Sequence, residues 1–193
     1  MLAAKGFSLV YNLKGGIKAW DSQVAHGSED EGLELFAGEE SLERTLAVAY
    51  AMEQGLGEFY TSMATQSQSQ EAAKLFTMLA SIEEKHQQHI AQLYEQSTGQ
   101  IASEALSRQE IEQVMEGGLT TEEYMARFQV DWQSVTEVAA VAMSIEAQAL
   151  DLYQRAAERQ TDQKSKEALS RIATEEQGHL KLLGDLIDGF TKP

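Results

Sequence analysis

One set of residues occurs twice in this chain at a fixed offset. Glu53, Glu83 and His86 in the first half recur 93 positions on as Glu146, Glu176 and His179, and Tyr60 recurs as Tyr153. Each half therefore reads Glu, then Glu-x-x-His thirty residues further along. Positions i and i+3 of a helix share a face, so Glu83 and His86 point together, as do Glu176 and His179. Glu53 and Tyr60 stand two turns apart on one stripe, and Glu146 and Tyr153 on another. Two helices that each give a Glu, with two more that each give Glu-x-x-His, form the ligand set of a two-metal site inside a helical bundle.

Periodicity places four long helices around these residues. The first is predicted from about Ser41 to Thr65, with Leu46, Ala49, Tyr50, Glu53, Gly57 and Tyr60 on one face. After the polar run 66–70 a second spans about Glu71 to Gln96, with Leu75, Leu79, Ile82, Glu83, His86, Ile90 and Leu93 inward. The third runs from about Asp131, read as its N-cap, to Arg159. The fourth starts at Thr161-Asp162 and continues to about Asp188. Residues 99–130 carry two weaker helical pieces, Glu104–Met115 and Thr121–Phe128, split by Gly117-Gly118. Pro193 is the one proline, and Ala, Leu, Glu and Gln, all strong helix formers, dominate the second part of the chain. The expected fold is all-α. Two tight hairpins joined by a long crossover between helices 2 and 3 make the ferritin-like form of a four-helix bundle.

The stripes that bear the repeated set are the apolar ones, so four carboxylates and two imidazoles face the core. Bare burial of that set would be very costly. Two cations resolve the conflict, with one His to each metal and the carboxylates free to bridge. Imidazole with carboxylate and no thiolate suits iron or manganese, and zinc is compatible. Loading should weaken below about pH 6 as imidazole protonates. Tyr60 and Tyr153 fit two roles, as core aromatics or as phenols bonded to a bridging carboxylate. Gly57 leaves room beside Glu53, where its repeat partner Leu150 fills space, which reads either as an access path or as packing. His89 is expected to be exposed rather than a ligand, and His26 solvated. Met52, Met63, Met78, Met115, Met125 and Met143 read as core fillers or loop contacts.

Composition narrows the functional classes. The 193 residues carry a net charge of −16, which disfavours nucleic acid and anionic membrane surfaces as partners. Four of the negative charges belong to the repeated set, where two divalent cations would cancel them. The chain has no cysteine, so disulfides, thiolate metal sites and Cys nucleophiles are excluded. No apolar stretch approaches the roughly 20 residues needed to cross a bilayer, and no signal peptide is evident. A cytoplasmic protein is expected.

At its repeated motifs the chain resembles the rubrerythrin and ferritin-like di-iron family over about residues 38–190. The family signature is Glu, twenty-eight residues, then Asp-Glu-x-Arg-His, twice. Here Glu53 precedes Ile82-Glu83-Glu84-Lys85-His86, and Glu146 precedes Glu175-Glu176-Gln177-Gly178-His179. The resemblance implies a pair of irons that reacts with hydrogen peroxide or dioxygen, commonly in a homodimer or larger homo-oligomer. Three departures stand out. The signature Asp, a partner of the ligand histidines, is replaced by Ile82 and Glu175. Met143 and Ala149 stand where rubrerythrin proper carries an extra carboxylate near its third-helix Glu. Paired CxxC motifs of a rubredoxin-like domain are missing, so turnover would need an external electron donor.

Composition shifts near residue 27. Residues 1–20 contain three lysines and no acid, after which acidic residues crowd together. Ala3–Phe7 followed by Val10–Trp20 resembles the final strand and helix start of a rhodanese domain, which implies a strand at about Ser8–Leu13. Residues 1–27 are thus read as a C-terminal remnant of such a domain, 28–40 as a linker and 41–193 as the bundle. The catalytic cysteine loop of a rhodanese would lie upstream, so Met1 is expected to be a start or boundary inside a longer fusion, and this chain is expected to have no sulfurtransferase activity. The functional expectation is a di-iron protein that reduces peroxide. Its alternatives are a dioxygen-using ferroxidase or iron-handling protein, and a non-catalytic helical interaction module stabilised by metal.

Overall fold

A computed structural model of the protein describes residues 32–102, 106, 125–126, 128 and 130–191. The fold is an all-α, ferritin-like four-helix bundle, as the periodicity predicts: α1 Leu42–Gln66, α2 Gln70–Thr98, α3 Val135–Arg159 and α4 Gln163–Thr191. Among the described residues, a 3-10 turn, Leu33–Leu35, precedes α1. The predicted strand, His26, the rhodanese-like segment 1–27 and nearly all of the two weak helical pieces lie outside the described residues.

Polar side chains set where each helix begins. Ser41, Ser69 and Ser134 accept hydrogen bonds from the backbone N–H groups of Arg44, Ala72 and Glu137, and so satisfy amides that the helices leave unpaired. Asp162 does the same for Ser165 at the head of α4 (2.8 Å), and those bonds hold its carboxyl below the usual range. The start of α3 differs from the sequence reading. Asp131 does not cap it, because its carboxylate accepts from the N–H of Gln133 two residues on, in a local turn. The cap passes to Ser134, and the helix begins four residues later than Asp131.

Residues 67–69 and 160–162 are too few for anything but an antiparallel return, so α1 pairs with α2 and α3 with α4. Each return is pinned from the other half of the molecule. Gln133 Oε1 accepts from Ser67 Oγ (3.0 Å) and from the backbone N–H groups of Gln68 (2.7 Å) and Ser69 (2.8 Å). Its repeat partner, Glu40, takes a hydrogen bond from Gln160 (2.9 Å), while the carbonyl of Gly38 accepts from Thr161 N–H (3.1 Å). Gly38 has φ +94°, and a Cβ there would lie 2.7 Å from the Arg159 carbonyl oxygen, so only glycine fits. The segment read as a linker thus carries working contacts, and its Leu33 and Phe36 are buried.

The core is divided in two. At one end Leu33, Phe36, Leu46, Ile90, Leu93, Tyr153, Leu169 and Ile172 pack together. At the other, Leu56, Phe59, Tyr60, Leu75, Phe76, Leu79 and Ile145 do so. The first group comes from the starts of α1 and α4 and the ends of α2 and α3, so α1 runs parallel to α4. Between the groups, at mid-bundle, lie the repeated polar residues.

Candidate metal centre

All four helices contribute to one polar cluster in the middle of the core. Glu53 on α1, Glu83 on α2, Glu146 on α3 and Glu176 on α4 are each at most 1 % exposed. His86 is buried, whereas the His179 side chain keeps 18 % of its surface. The six residues singled out by the repeat are therefore brought together, each on the inward stripe that its helix register dictates.

His86 is the hub of the cluster. Its Nδ1 stands 3.0 Å from Glu53 Oε2, 3.5 Å from Glu83 Oε2 and 3.6 Å from Glu176 Oε1. His179 Nδ1 faces Glu146 Oε2 at 3.4 Å and Glu176 Oε2 at 3.5 Å. The two imidazoles stack with centroids 4.1 Å apart. Two sets of three donor atoms lie within 4.8 Å of one another, Glu53–Glu83–His86 and His86–Glu176–His179, and both could hold an ion.

Electrostatics shows what crowding does to these groups. Burial drives the Glu83 carboxyl well above the usual range, and the charges of Glu146 and Glu53 push it further, against the pull of His86. Burial also opposes ionisation of Glu53, but its hydrogen bond to His86 wins and lowers it. His86 is disfavoured as a cation by burial, yet hydrogen bonds to Glu53 and Glu83 raise it from 6.5 to about 10. A proton on His86 thus does part of the work of a cation. Without metal, protons are therefore held at His86 more firmly than on a free imidazole, because of its carboxylate neighbours.

Cations would complete what protons do in part. Glu83 Oε1, Glu146 Oε1 and His179 Nδ1 are buried and have no hydrogen-bond partner among the described residues. Such groups are normally paired. Carboxylate oxygens and ring nitrogens together form the hard-to-intermediate donor set that iron or manganese accepts. The residues present fit a pair of divalent cations.

The neighbouring residues refine the sequence reading. Tyr153 donates a hydrogen bond to Glu53 Oε1 at 2.8 Å, across the bundle from α3 to α1. Tyr60 is equally buried, between Phe59 and Phe76 at centroid distances of 5.5 and 6.3 Å. A Cβ on Gly57 would stand 3.3 Å from Glu83 Cβ and 3.2 Å from Gln87 Nε2, so Gly57 serves close helix packing behind a candidate ligand. His89 is partly exposed and ion-paired with Glu175 rather than turned to the cluster. Sequence reasoning missed Gln87, which donates to the Glu53 carbonyl at 3.3 Å. Its signal was available, since its repeat partner is the apolar Leu180.

Among the described residues, no helix is long and apolar enough to cross a membrane. No curated protein matches the chain. A solved structure of a hypothetical protein from Pyrococcus furiosus superposes with a TM-score of 0.50 at 23 % identity, covering 79 % of this chain and 94 % of that one. That likeness supports the fold alone. The rubrerythrin family model matches residues 44–187, a span that takes in both copies of the repeated set. The chain belongs to the rubrerythrin family, and the ferritin-like four-helix bundle is the architecture found here.

Proposed function

We propose that Glu53, Glu83, His86, Glu146, Glu176 and His179 hold two irons, and that the protein reduces hydrogen peroxide with electrons from an external donor. The observation that carries this reading is the buried cluster itself. Four carboxylates and two imidazoles sit at mid-core, with buried donor atoms that a proton or a cation would satisfy. When bound, a pair of ferrous ions supplies two electrons, the number that cleavage of one peroxide O–O bond consumes.

The chain's own residues prepare the place. Glu53 on α1 and Glu146 on α3 would bridge the ions or bind them terminally, Glu83 and Glu176 would share them, and each His would hold one. Tyr153 fixes the rotamer of Glu53 by occupying Oε1, and so leaves Oε2 as the oxygen offered to His86 or to an ion. The two apolar groups close the centre from both ends and exclude bulk water. The His179 edge, where solvent still reaches a donor side chain, is the approach for a small oxidant. The bundle that does this work extends back to Leu33 and Phe36, which pack in its core.

The test is iron analysis of protein loaded anaerobically with ferrous ion, followed by stopped-flow mixing with peroxide or dioxygen. About two irons per chain, lowered in Glu53→Ala and His179→Ala, are expected, with faster oxidation by peroxide. A faster reaction with dioxygen would replace the peroxidase by a ferroxidase. No bound iron would leave only a helical interaction module.

A further inference from the structure

The two halves of the centre are related by the sequence repeat, yet they are not equally prepared. Glu53, Glu83 and His86 already form a compact group, with 3.0 Å between Glu53 Oε2 and His86 Nδ1. Three contacts outside the donor set buttress it. Tyr153 O–H holds Glu53 Oε1, the Gln87 amide holds the Glu53 carbonyl, and Gly57 lets α1 close onto the stem of Glu83. At the last two of these positions the other half has Leu150 and Leu180, which offer no hydrogen bond. Among the described residues Glu146 joins no three-donor group, and His179 is grouped with His86 and Glu176 instead. Among the described residues, His179 Nδ1 stands 3.4 Å from Glu146 Oε2 and makes no hydrogen bond. Its side chain is 18 % exposed against 6 % for His86.

From this contrast we infer that the halves take up metal in order. The first divalent cation enters the Glu53–Glu83–His86 half and is held tightly. The second is completed by Glu146, Glu176 and His179, and exchanges readily through the His179 edge. A preformed donor group binds with less ordering cost than one that must be assembled, so the buttressed half has the higher affinity. His86 is common to both compact groups. Committing it to the first ion leaves the second to be gathered from Glu146, Glu176 and His179, which must draw together, and solvent reaches the partly exposed imidazole. The inference rests on the two-metal reading above.

The experiment titrates metal-free protein with cobalt(II) alone, followed by its visible absorption and by calorimetry. The unliganded protein should show two steps whose dissociation constants differ by at least about tenfold, and a chelator should strip one ion fast and one slowly. His179→Ala should keep the tight step and lose the weak one, whereas His86→Ala should lose the tight step. Circular dichroism confirms that each variant is helical, and the unsubstituted protein decides the matter even if a variant does not fold. Two indistinguishable steps, or a tight step that vanishes with His179→Ala, would overturn the order of filling while leaving the two-metal reading intact. Absence of any cobalt binding would overturn both.

Discussion

In the α1–α2 hairpin a glycine, Gly57, lets the two helices meet against the stem of Glu83, and a glutamine, Gln87, ties the next turn to the Glu53 carbonyl. In the α3–α4 hairpin the matching positions are Leu150 and Leu180, and the histidine beside them reaches solvent. The same ligand pattern is thus mounted on a stiff support in one hairpin and on a looser, apolar one in the other. A repeat preserves which side chains face inward, because that depends only on helix register. It does not preserve how firmly they are held, because that depends on neighbours the repeat does not contain.

The apolar layers behind the ligands extend the contrast and give the largest expected effect. Phe76 and Leu169 are repeat partners, both fully buried, one in each core group. Phe76 also packs on Tyr60 and Trp132, at 6.3 and 6.5 Å between centroids. Phe76→Ala should cost about 3–5 kcal/mol and Leu169→Ala about 2–5 kcal/mol, read from denaturant melts of metal-free protein. A Leu169→Ala cost clearly above that of Phe76→Ala would show that the aliphatic end, not the aromatic one, carries the stability.

Next comes the support of the ligands. Gly57→Leu places a Cβ within 3.3 Å of Glu83 Cβ, and the remaining carbons have nowhere to go without parting the helices. A loss of about 1–3 kcal/mol is expected, together with weaker metal binding. The reciprocal Leu150→Gly touches a partly buried side chain and should leave metal content unchanged. If both substitutions moved metal affinity alike, the proposed difference in support would be wrong.

Much of this was legible in the sequence for a specific reason. Helix register fixes the facing of Glu53, Glu83, His86, Glu146, Glu176 and His179, and the period can be read without knowing any contact. Helix ends were less legible where two polar residues compete, as Asp131 and Ser134 do, because the winner is set by local turn geometry. Phe36 lay in an acidic stretch read as linker, and its burial depends on a docking surface made by α3 that no local pattern announces. The pins at Gln133 and Glu40 join residues more than sixty positions apart, so only the folded chain reveals them. His89 looked like a solvated residue, and its ion pair with Glu175 likewise depends on how α2 and α4 meet.

Acid–base behaviour sharpens the comparison at the stiffer half. His86 is raised to about 10 in the fold from an ordinary 6.5, so its contribution to stability is present below about pH 6.5 and lost as pH rises toward 10. Glu83, also raised, acts in the same direction. Glu53 is lowered, so its contribution is present above its ordinary 4.5 and lost as pH falls. Metal-free protein should therefore melt at falling temperature from pH 6.5 to pH 10. Added metal should recover more stability at each step, because it takes the place of the proton that leaves. His86→Gln should flatten the metal-free profile across that range. A profile unchanged by this substitution would mean that another group governs the loss.

The smallest effect concerns the pins of the two returns. Gln133 Oε1 gathers three hydrogen bonds on the α1–α2 turn, two of them from backbone N–H groups. The turn is exposed, so water replaces the lost acceptor in Gln133→Ala, and the net cost should be about 1 kcal/mol. Local opening is a finer reading than global stability. Exchange of the Gln68 and Ser69 amides should speed up, while the Thr161 amide, held by the Gly38 carbonyl at the opposite return, should keep its rate. Glu40→Ala removes the partner of Gln160 but leaves that carbonyl in place, so Thr161 should stay protected there too. Fast exchange at Thr161 in either variant would mean that the two returns open together. The bundle would then behave as one cooperative unit rather than as two hairpins separately pinned.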